Sequence, residues 1–355
     1  MSNNDTLFFS LGTKLNWKVS SNDSVWRVEN INEFKLSHTV SSSPKLDFEV
    51  KQIGQLKIKA DALIVSSNVV CSTNELIVID DITNKKLGIV YNKSGYSIFV
   101  EQGYSFFKYA AILDGFIKLL AFGKGIISLH ASSVLLNNKV LVFGSWRRVG
   151  KSTLLLNLLR HNNDVQILAD DAVFVTKEGD IIPYLRGIDL YPYLPISSRY
   201  LSAKEKGQRI AAKIMTKIPL LPKKVTSKII KKFFLPRVNL ARFITPQSMV
   251  SEPQTLYMVN RGTHSKSVIN KTSPDFSKSF FGKSSYFEMI EYQAMIDMLC
   301  SKYPDSPFAD LLVEYKEFQG CVDKALAHCD ELYELSISND YSDLKELSKR
   351  IFYVS

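Results

Sequence analysis

The feature that most constrains the fold is a continuous stretch between residues 140 and 159. The apolar run Val140–Phe143 leads into the polar segment Gly144–Thr153, which leads into a second apolar run, Leu154–Leu159. The first run has the length and composition of a buried strand, and the second continues a helix that begins at Lys151. A strand, a loop and a helix in this order are typical of an α/β unit, in which helices cover a sheet.

The segments on either side extend this unit. Ile126–His130 and Val165–Ala169 read as strands before and after it, and Lys151–Arg160 reads as the intervening helix. Apolar residues at helical spacing over Phe106–Phe122 predict a connecting helix, which the glycines after residue 122 end. We therefore expect an alternating α/β core in this part of the chain.

The pattern of the whole chain predicts three regions. Short runs at period two, separated by turn residues, predict a β-rich region over residues 1–105. The α/β core occupies 106–262 with a basic helical insertion at 202–242, and a mainly helical region occupies 263–355. The remaining predicted elements are strands at Leu56–Lys59, Glu75–Asp80, Leu87–Tyr91, Thr255–Val259 and Leu332–Ser338, a hairpin connection at Thr83–Lys86, and helices at Lys223–Phe234, Ser284–Leu332 and Ser342–Phe352, the last with Ser342 as N-cap.

The loop after the strand carries the residue types of a phosphate site. Phosphate is held by backbone N–H groups at a helix N-terminus, by a lysine that reaches the outer phosphates, and by a hydroxyl that ligates Mg²⁺. Gly150, Lys151 and Ser152 supply these groups. In the GxxxxGK[ST] pattern the leading glycine falls on Ser145, and Trp146–Arg148 replace residues that are usually small.

The predicted cofactors are therefore ATP and Mg²⁺. The predicted nucleotide-binding residues are Ser145, Arg147, Arg148, Val149, Gly150, Lys151, Ser152 and Thr153. Either arginine of the loop has the length to contact a phosphate, whereas helix packing is an alternative role for Thr153. A second triplet, Gly282–Ser284, follows no clear loop glycine, and we interpret it as a chance match.

His130 and the pair Asp170–Asp171 follow the two flanking strands. If the three strands are parallel neighbours, their carboxyl ends bring these residues and Lys151 to one edge of the sheet. There one carboxylate holds Mg²⁺ and the other accepts a proton from an attacking hydroxyl. A turn between strands is the alternative interpretation of the Asp pair, and a buried, hydrogen-bonded core histidine is the alternative for His130.

His130–Ser132, Gly150–Thr153 and Leu168–Val173 together resemble the core of the HPr serine kinase/phosphorylase family and its relatives, which include kinases of peptide-modification gene clusters. The resemblance covers residues 125–195 and extends more loosely to residue 262. It implies a P-loop-containing mixed-sheet core of the phosphoenolpyruvate-carboxykinase-like type. The first hundred residues and the C-terminal helices lie outside it.

The resemblance also implies roles for individual residues. Lys151 would bind the β- and γ-phosphates, and Ser152 would bind Mg²⁺. Asp170 and Asp171 would share the metal and general-base roles, with Asp170 as the metal ligand, and His130 would lie near the transferred phosphoryl group.

Two features depart from the family pattern. Arg186 begins a shortened Arg-Gly motif, which makes it a weaker candidate for stabilising charge in the transition state. Arg148 stands where the loop usually has a glycine, and this substitution bears on the shape of the phosphate cradle.

The leading hypothesis is an ATP-dependent kinase that transfers the γ-phosphate to an acceptor hydroxyl of the serine type, on a protein, a peptide or a small molecule. The first alternative is a catalytically degenerate protein that senses nucleotide and binds a partner. The second is an ATPase that nucleic acid stimulates. The sequence leaves the acceptor and the oligomeric state open.

The charge distribution separates this core from a basic segment. The chain has 45 Lys and Arg against 35 Asp and Glu residues, a formal net charge of +10. The segment Lys204–Arg237 holds eleven of the basic residues and one acid, Glu205, so it accounts for the whole excess. It is predicted to be a solvated helical face, a surface for an anionic protein or peptide partner, or a contact with nucleic acid or membrane.

The cysteines and the apolar segments indicate where in the cell the protein is expected to be. Cys71, Cys300, Cys321 and Cys329 form no CxxC pair, which favours a reducing cytoplasm. The start of the chain has no signal-peptide pattern, and charged residues interrupt the most apolar window, Ala110–Leu129. We therefore expect a cytoplasmic protein without a transmembrane segment.

Overall fold

The computed structural model describes residues 5–11, 14–21, 45–58, 62–66, 68–146, 149–162, 164–184, 187–189, 201–216, 237–239, 249–251, 254–263, 265–338 and 343–354. Over these residues the chain is a mixed α/β protein with nineteen strands and seven α-helices. The strands belong to one eight-stranded, one six-stranded, one three-stranded and one two-stranded sheet.

The eight-stranded sheet contains all the described strands of the first 101 residues. Its members are β1 (Asp5–Leu11), β2 (Leu15–Ser21), β3 (Phe48–Ile53), β4 (Leu63–Ser66), β5 (Val69–Ser72), β6 (Glu75–Ile79), β7 (Lys86–Asn92) and β8 (Gly95–Glu101), in the order β1-β2-β3-β8-β7-β6-β5-β4. Trp17 stacks on Phe48 with ring centroids 5.5 Å apart, and Phe116 of the first helix meets Phe48 edge-on. These aromatic rings join the sheet to the rest of the core.

The chain from residue 126 onward builds the other three sheets. Its strands are β9 (Ile126–Leu129), β10 (Ala131–Leu136), β11 (Lys139–Gly144), β12 (Gln166–Ala169), β13 (Val173–Thr176), β14 (Ile181–Ile182), β15 (Gly187–Asp189), β16 (Arg237–Asn239), β17 (Gln254–Arg261), β18 (Val268–Lys271) and β19 (Cys329–Ile337). The six-stranded sheet has the order β12-β10-β11-β17-β19-β18, the three-stranded sheet has the order β14-β13-β9, and β15 pairs with β16.

Seven helices accompany these sheets. They are α1 (Phe106–Gly123), α2 (Lys151–His161), α3 (Ala203–Thr216), α4 (Pro274–Phe287), α5 (Ile290–Lys302), α6 (Tyr315–Ala325) and α7 (Leu344–Val354). Side chains of β11 alternate between two apolar clusters, as period-two geometry requires. Leu141 and Phe143 pack with residues of α2 and α7, whereas Val140 and Val142 belong to the cluster that contains Phe281 of α4. The central sheet is therefore covered on both faces.

Two bent strand pairs connect the six-stranded and three-stranded sheets. β9 and β10 are separated by the single residue His130, and β12 and β13 by residues 170–172. Leu129 opposite Val173 and Ser133 opposite Ala169 have the same antiparallel register, and the β10–β12 register shifts only after Ser133. The two strand pairs therefore lie side by side where they pass between the sheets. One passes at His130 and the other at the Asp170–Asp171 pair.

The expected parallel arrangement of the three core strands is wrong. β10 pairs antiparallel with both β11 and β12, and β9 belongs to the other sheet. The connection between β10 and β11 consists of Asn137 and Asn138, which both have positive φ, so it forms a tight hairpin rather than a crossover. The parallel partners of β11 come instead from later in the chain, because β17 follows β11 in the sheet and β19 follows β17.

Most other predicted elements are confirmed, with three corrections. Leu56–Lys59 is not a strand over its described residues, because the Leu56 N–H donates to Glu101 Oε1 at 2.7 Å instead of to a neighbouring strand. The helices predicted from Ser284 begin earlier, at Pro274, where Ser273 caps α4. They also end earlier, because β19 begins at Cys329.

Several sequence predictions fall outside the described residues or stay untested. The Ser342 N-cap and the helix at Lys223–Phe234 lie outside the described residues, and α3 is the described helix of the basic insertion. The three-region division stays a prediction, although β18 and β19, beyond residue 262, complete the central sheet. All four cysteines are free. No helix of the described residues is long and apolar enough to cross a membrane.

Gly144 provides a test of the packing between β11 and α4. A Cβ added there would clash with Cε1 of Phe281, whose ring is completely buried. We expect Gly144→Ala to lower the free energy of unfolding by about 1–3 kcal/mol in denaturant titrations. Gly123→Ala is the control, because nothing lies within 4 Å of its added Cβ. Equal stability of the Gly144→Ala variant and the parent would contradict this packing.

Candidate functional site

The pairing of β10 explains why distant residues meet. Because β10 is antiparallel to both neighbours, its first residue lies beside the last residues of β11 and β12. Ala131 is opposite Gly144, and Ser133 is opposite Ala169. His130, the loop after Gly144 and the Asp170–Asp171 pair therefore share one edge of the sheet. The predicted clustering is present, although it arises from antiparallel rather than parallel strands.

Gly150 sets the geometry of the loop-to-helix junction. Its φ of 121° lies in a region that residues with a Cβ atom disfavour, so the backbone requires glycine here. α2 begins at the next residue, and the Leu154 N–H donates to the carbonyl of Gly150 at 2.9 Å. Lys151 and Ser152 therefore occupy the first turn, whose N–H groups have no partner inside the helix and favour an anion.

Asp170 accepts hydrogen bonds from two serines. Ser152 Oγ lies 2.9 Å from Asp170 Oδ2, and Ser132 Oγ lies 2.5 Å from Asp170 Oδ1. Burial raises the pKa of Asp170, and the nearby Asp171 raises it further, whereas the two serine bonds and Lys151 lower it. A hydroxyl paired with a carboxylate offers the oxygen ligands that Mg²⁺ prefers. The site thus fits Mg²⁺ bound by Ser152 and Asp170.

Lys151 is buried and directed back towards the loop. Its Nζ lies 2.6 Å from His130 Nε2 and donates to the carbonyl of Ser145 at 3.3 Å. Burial lowers the pKa of Lys151, and burial together with the Lys151 charge lowers the pKa of His130 to about 4. Because an ammonium has only donors, His130 Nε2 must accept, and these partners assign the ring proton to Nδ1.

Asp171 occupies a strained position at the surface of the site. Its φ is 93°, and its N–H donates to the carbonyl of Ala131 at 3.0 Å, which holds it against β10. Its side chain is 56% exposed, with Oδ1 3.9 Å from His130 Nδ1. Asp170 is therefore buried against the serines, whereas the adjacent Asp171 is exposed to solvent.

Several predicted residues can be placed and others cannot. Ser145 is buried, and its hydroxyl donates to the carbonyl of Trp146. Val149 packs against the apolar cluster of α2, and Thr153 is half-buried. Arg147, Arg148 and Arg186 lie outside the described residues. The second triplet, Gly282–Ser284, lies within α4 and forms no loop, as expected for a chance match.

Sequence reasoning missed three residues that contact this cluster. Ser132 received no role, although its register opposite Asp170 would have followed from the strand pairing. Ser285 Oγ accepts the His130 N–H at 2.8 Å, and Glu288 Oε1 lies 3.6 Å from His130 Nδ1. No motif marks Ser285 or Glu288, because they reach the site through the packing of α4, 155 residues after His130 in the case of Ser285.

Comparison with protein-family models and with curated proteins gives no match for this chain. Among the described residues, no group of three or more His, Cys, Asp or Glu side chains is placed to hold a metal ion. A metal bound through Ser152 and Asp170 therefore requires further oxygen ligands from phosphate or water, which is the usual manner of Mg²⁺ binding.

The buried carboxyl group of Asp170 is expected to lower the stability of the fold at neutral pH. Because its pKa is raised by folding, its contribution to stability decreases as pH rises above the unfolded value of about 3.9. We expect Asp170→Asn to raise the free energy of unfolding at pH 7 by roughly 0.5–2 kcal/mol. The gain should shrink below pH 4, where the parent carboxyl is protonated in both states. Denaturant titrations at the two pH values measure this, and a less stable variant at pH 7 would contradict it.

Proposed function

We propose that this chain is an ATP-dependent phosphotransferase that transfers the γ-phosphate to an acceptor hydroxyl. The observation that carries the proposal is the bond between Ser152 at the start of α2 and the buried Asp170, beside Lys151. A hydroxyl on the first turn of the helix and a carboxylate on a neighbouring strand are the pair that binds the metal of a nucleotide in P-loop proteins.

The geometry supports a division of tasks in nucleotide binding. The first-turn N–H groups of α2 bind phosphate oxygens, and Lys151 exchanges His130 and the Ser145 carbonyl for the outer phosphates. This exchange is favourable, because phosphate restores a charged partner to an ammonium whose pKa burial lowers. Mg²⁺, when bound by Ser152 and Asp170, supplies further neutralisation of phosphate charge.

Asp171 is the proposed general base. The acceptor oxygen forms a bond to the γ-phosphorus, the bond from that phosphorus to the bridging oxygen breaks, and ADP leaves. The acceptor proton passes to the carboxylate of Asp171, whose side chain is 56% exposed. Lys151 stabilises the charge on the transferred group and His130 lies beside it, so that positioning and electrostatics provide most of the rate.

The same proposal includes a P-loop core of the phosphoenolpyruvate-carboxykinase-like type and membership of the HPr kinase family. Their support is the order of His130, the Lys151–Ser152 loop and the Asp pair along a mixed sheet. Two further predictions stay untested. They are an acceptor of the serine type, on a protein, peptide or small molecule, and a cytoplasmic location.

A nucleotide-sensing protein is the second candidate. The observation that favours it is that Lys151 already has two partners, His130 and the Ser145 carbonyl, so nucleotide binding must rearrange the site. Such a rearrangement can report ATP without transferring phosphate. The nucleic-acid-stimulated ATPase depends on the basic segment, of which α3 is the described helix, and it stays an untested alternative.

Asp171→Asn tests the proposal and separates it from sensing. Asparagine tolerates the positive φ of this position, so the fold is expected to persist. We expect Mg-ATP binding within about 2-fold of the parent, while phosphoryl transfer falls by roughly 10²–10⁴-fold. The assay uses γ-labelled ATP with water, free serine and serine-containing peptides as acceptors.

Asp164→Asn, at an exposed position before β12, is the matched control and should transfer phosphate normally. Transfer by Asp171→Asn at the parent rate would remove Asp171 from the reaction. If the parent binds Mg-ATP tightly but transfers phosphate to no acceptor, including water, the result would refute the kinase and favour the nucleotide-sensing protein.

A further inference from the structure

One face of α4, with Glu288 directly after it, contacts the candidate site at Gly144 and His130. Phe281 packs against Gly144 at the start of the loop, Ser285 accepts the backbone N–H of His130, and Glu288 approaches the imidazole of His130. These three residues are spaced by four and three positions, so they share one helical face. Glu288 directly follows the helix and keeps right-handed helical backbone angles, which preserves this alignment.

His130 Nδ1 is a buried polar atom at this edge of the sheet. The residue is 4% exposed, and Nδ1 has no hydrogen-bond partner among the described residues. Lys151 occupies Nε2, so Nδ1 carries the proton in the neutral ring. A buried N–H without an acceptor is costly, and the closest carboxylate oxygen in an ion-pair contact with it is Glu288 Oε1 at 3.6 Å.

We propose that Glu288 is a positioning residue of the site, which accepts the Nδ1–H of His130 and holds the imidazole with Nε2 towards Lys151. The proposal rests on the phosphotransferase function for its kinetic consequence, but not for its structural content. A shift of a few tenths of an ångström brings the 3.6 Å separation within hydrogen-bond range. Ser285 already fixes the backbone of the same histidine, so one helix holds His130 at two points.

Asp171 is the competing acceptor, and the geometry favours Glu288. Asp171 Oδ1 lies farther from Nδ1, at 3.9 Å, and its side chain is 56% exposed against 12% for Glu288. The more buried carboxylate interacts more strongly with the N–H because water screens it less. The cations that act on His130 are Lys151 and the buried Lys118 of α1, which both favour the neutral ring.

This division gives the two carboxylates separate roles. Glu288 takes the Nδ1–H of His130, and Asp171 takes the acceptor proton. When phosphate draws Lys151 away, His130 Nε2 remains directed at the position that Lys151 occupied. Removing Glu288 would let the ring turn towards Asp171 and weaken the proposed base without changing the residues that bind nucleotide.

The structural test is nuclear magnetic resonance of the nucleotide-free protein. We expect a slowly exchanging, hydrogen-bonded Nδ1–H resonance of His130, assigned by its loss in His130→Gln. It should persist in Glu288→Gln, whose amide oxygen still accepts, and disappear in Glu288→Ala. Glu291→Ala, an exposed acidic position three residues later, is the matched control and should keep the resonance.

The kinetic test separates positioning from a general loss of structure. We expect Glu288→Ala to lower kcat for phosphoryl transfer about 10-fold while Mg-ATP affinity stays within about 2-fold, and Glu288→Gln to recover most of the rate. Glu288→Asp keeps the charge but moves the carboxylate oxygens away from His130, so it should show faster exchange of the Nδ1–H. This variant replaces Glu288→Ala in the test if Glu288→Ala fails to fold.

Two results would overturn the role of Glu288. One is an Nδ1–H resonance that survives unchanged in both Glu288→Ala and Glu288→Asp, and the other is its absence from the parent protein. A parent that transfers no phosphate would refute the phosphotransferase function instead, and the resonance would still decide whether Glu288 holds His130.

Discussion

The structure of this site depends on one antiparallel pairing between two bent strands. Because Leu129 opposite Val173 and Ser133 opposite Ala169 share one register, Ser132 lies opposite Asp170 and bonds to it at 2.5 Å. A shift by one residue would reverse the direction of every side chain, and Asp170 would leave the serines. The buried carboxylate, the exposed Asp171 and the position of His130 all follow from this register.

The site is completed by a helix that is distant in sequence. α4 contributes a ring against Gly144 and a hydroxyl to the His130 backbone, and Glu288 directly after it contributes a carboxylate near the imidazole. None of these contacts is local, so the site is complete only when these C-terminal residues pack on the sheet. Burial is also the leading cause that lowers the pKa of both Lys151 and His130.

Sequence patterns were informative where the physics is local. The strand–loop–helix unit, the helix at Phe106–Phe122 and the strand at Thr255–Val259 follow from hydrophobic periodicity, and the loop residue types led to Lys151 and Ser152. Strand direction was predicted wrongly although its signal was local, because the two-residue hairpin at Asn137–Asn138 makes β10 antiparallel to β11 where a parallel arrangement was expected. Glu288 was missed because only tertiary packing brings it to His130.

Calorimetric titration measures directly whether this edge of the sheet binds Mg-ATP through Lys151. We expect Lys151→Ala to weaken Mg-ATP binding by roughly 10- to 100-fold, the loss expected for a charged hydrogen bond to phosphate. Lys283→Ala, the exposed lysine of the second triplet, should bind as the parent does. Parent protein that does not bind Mg-ATP, or Lys151→Ala that binds it equally well, would contradict the account.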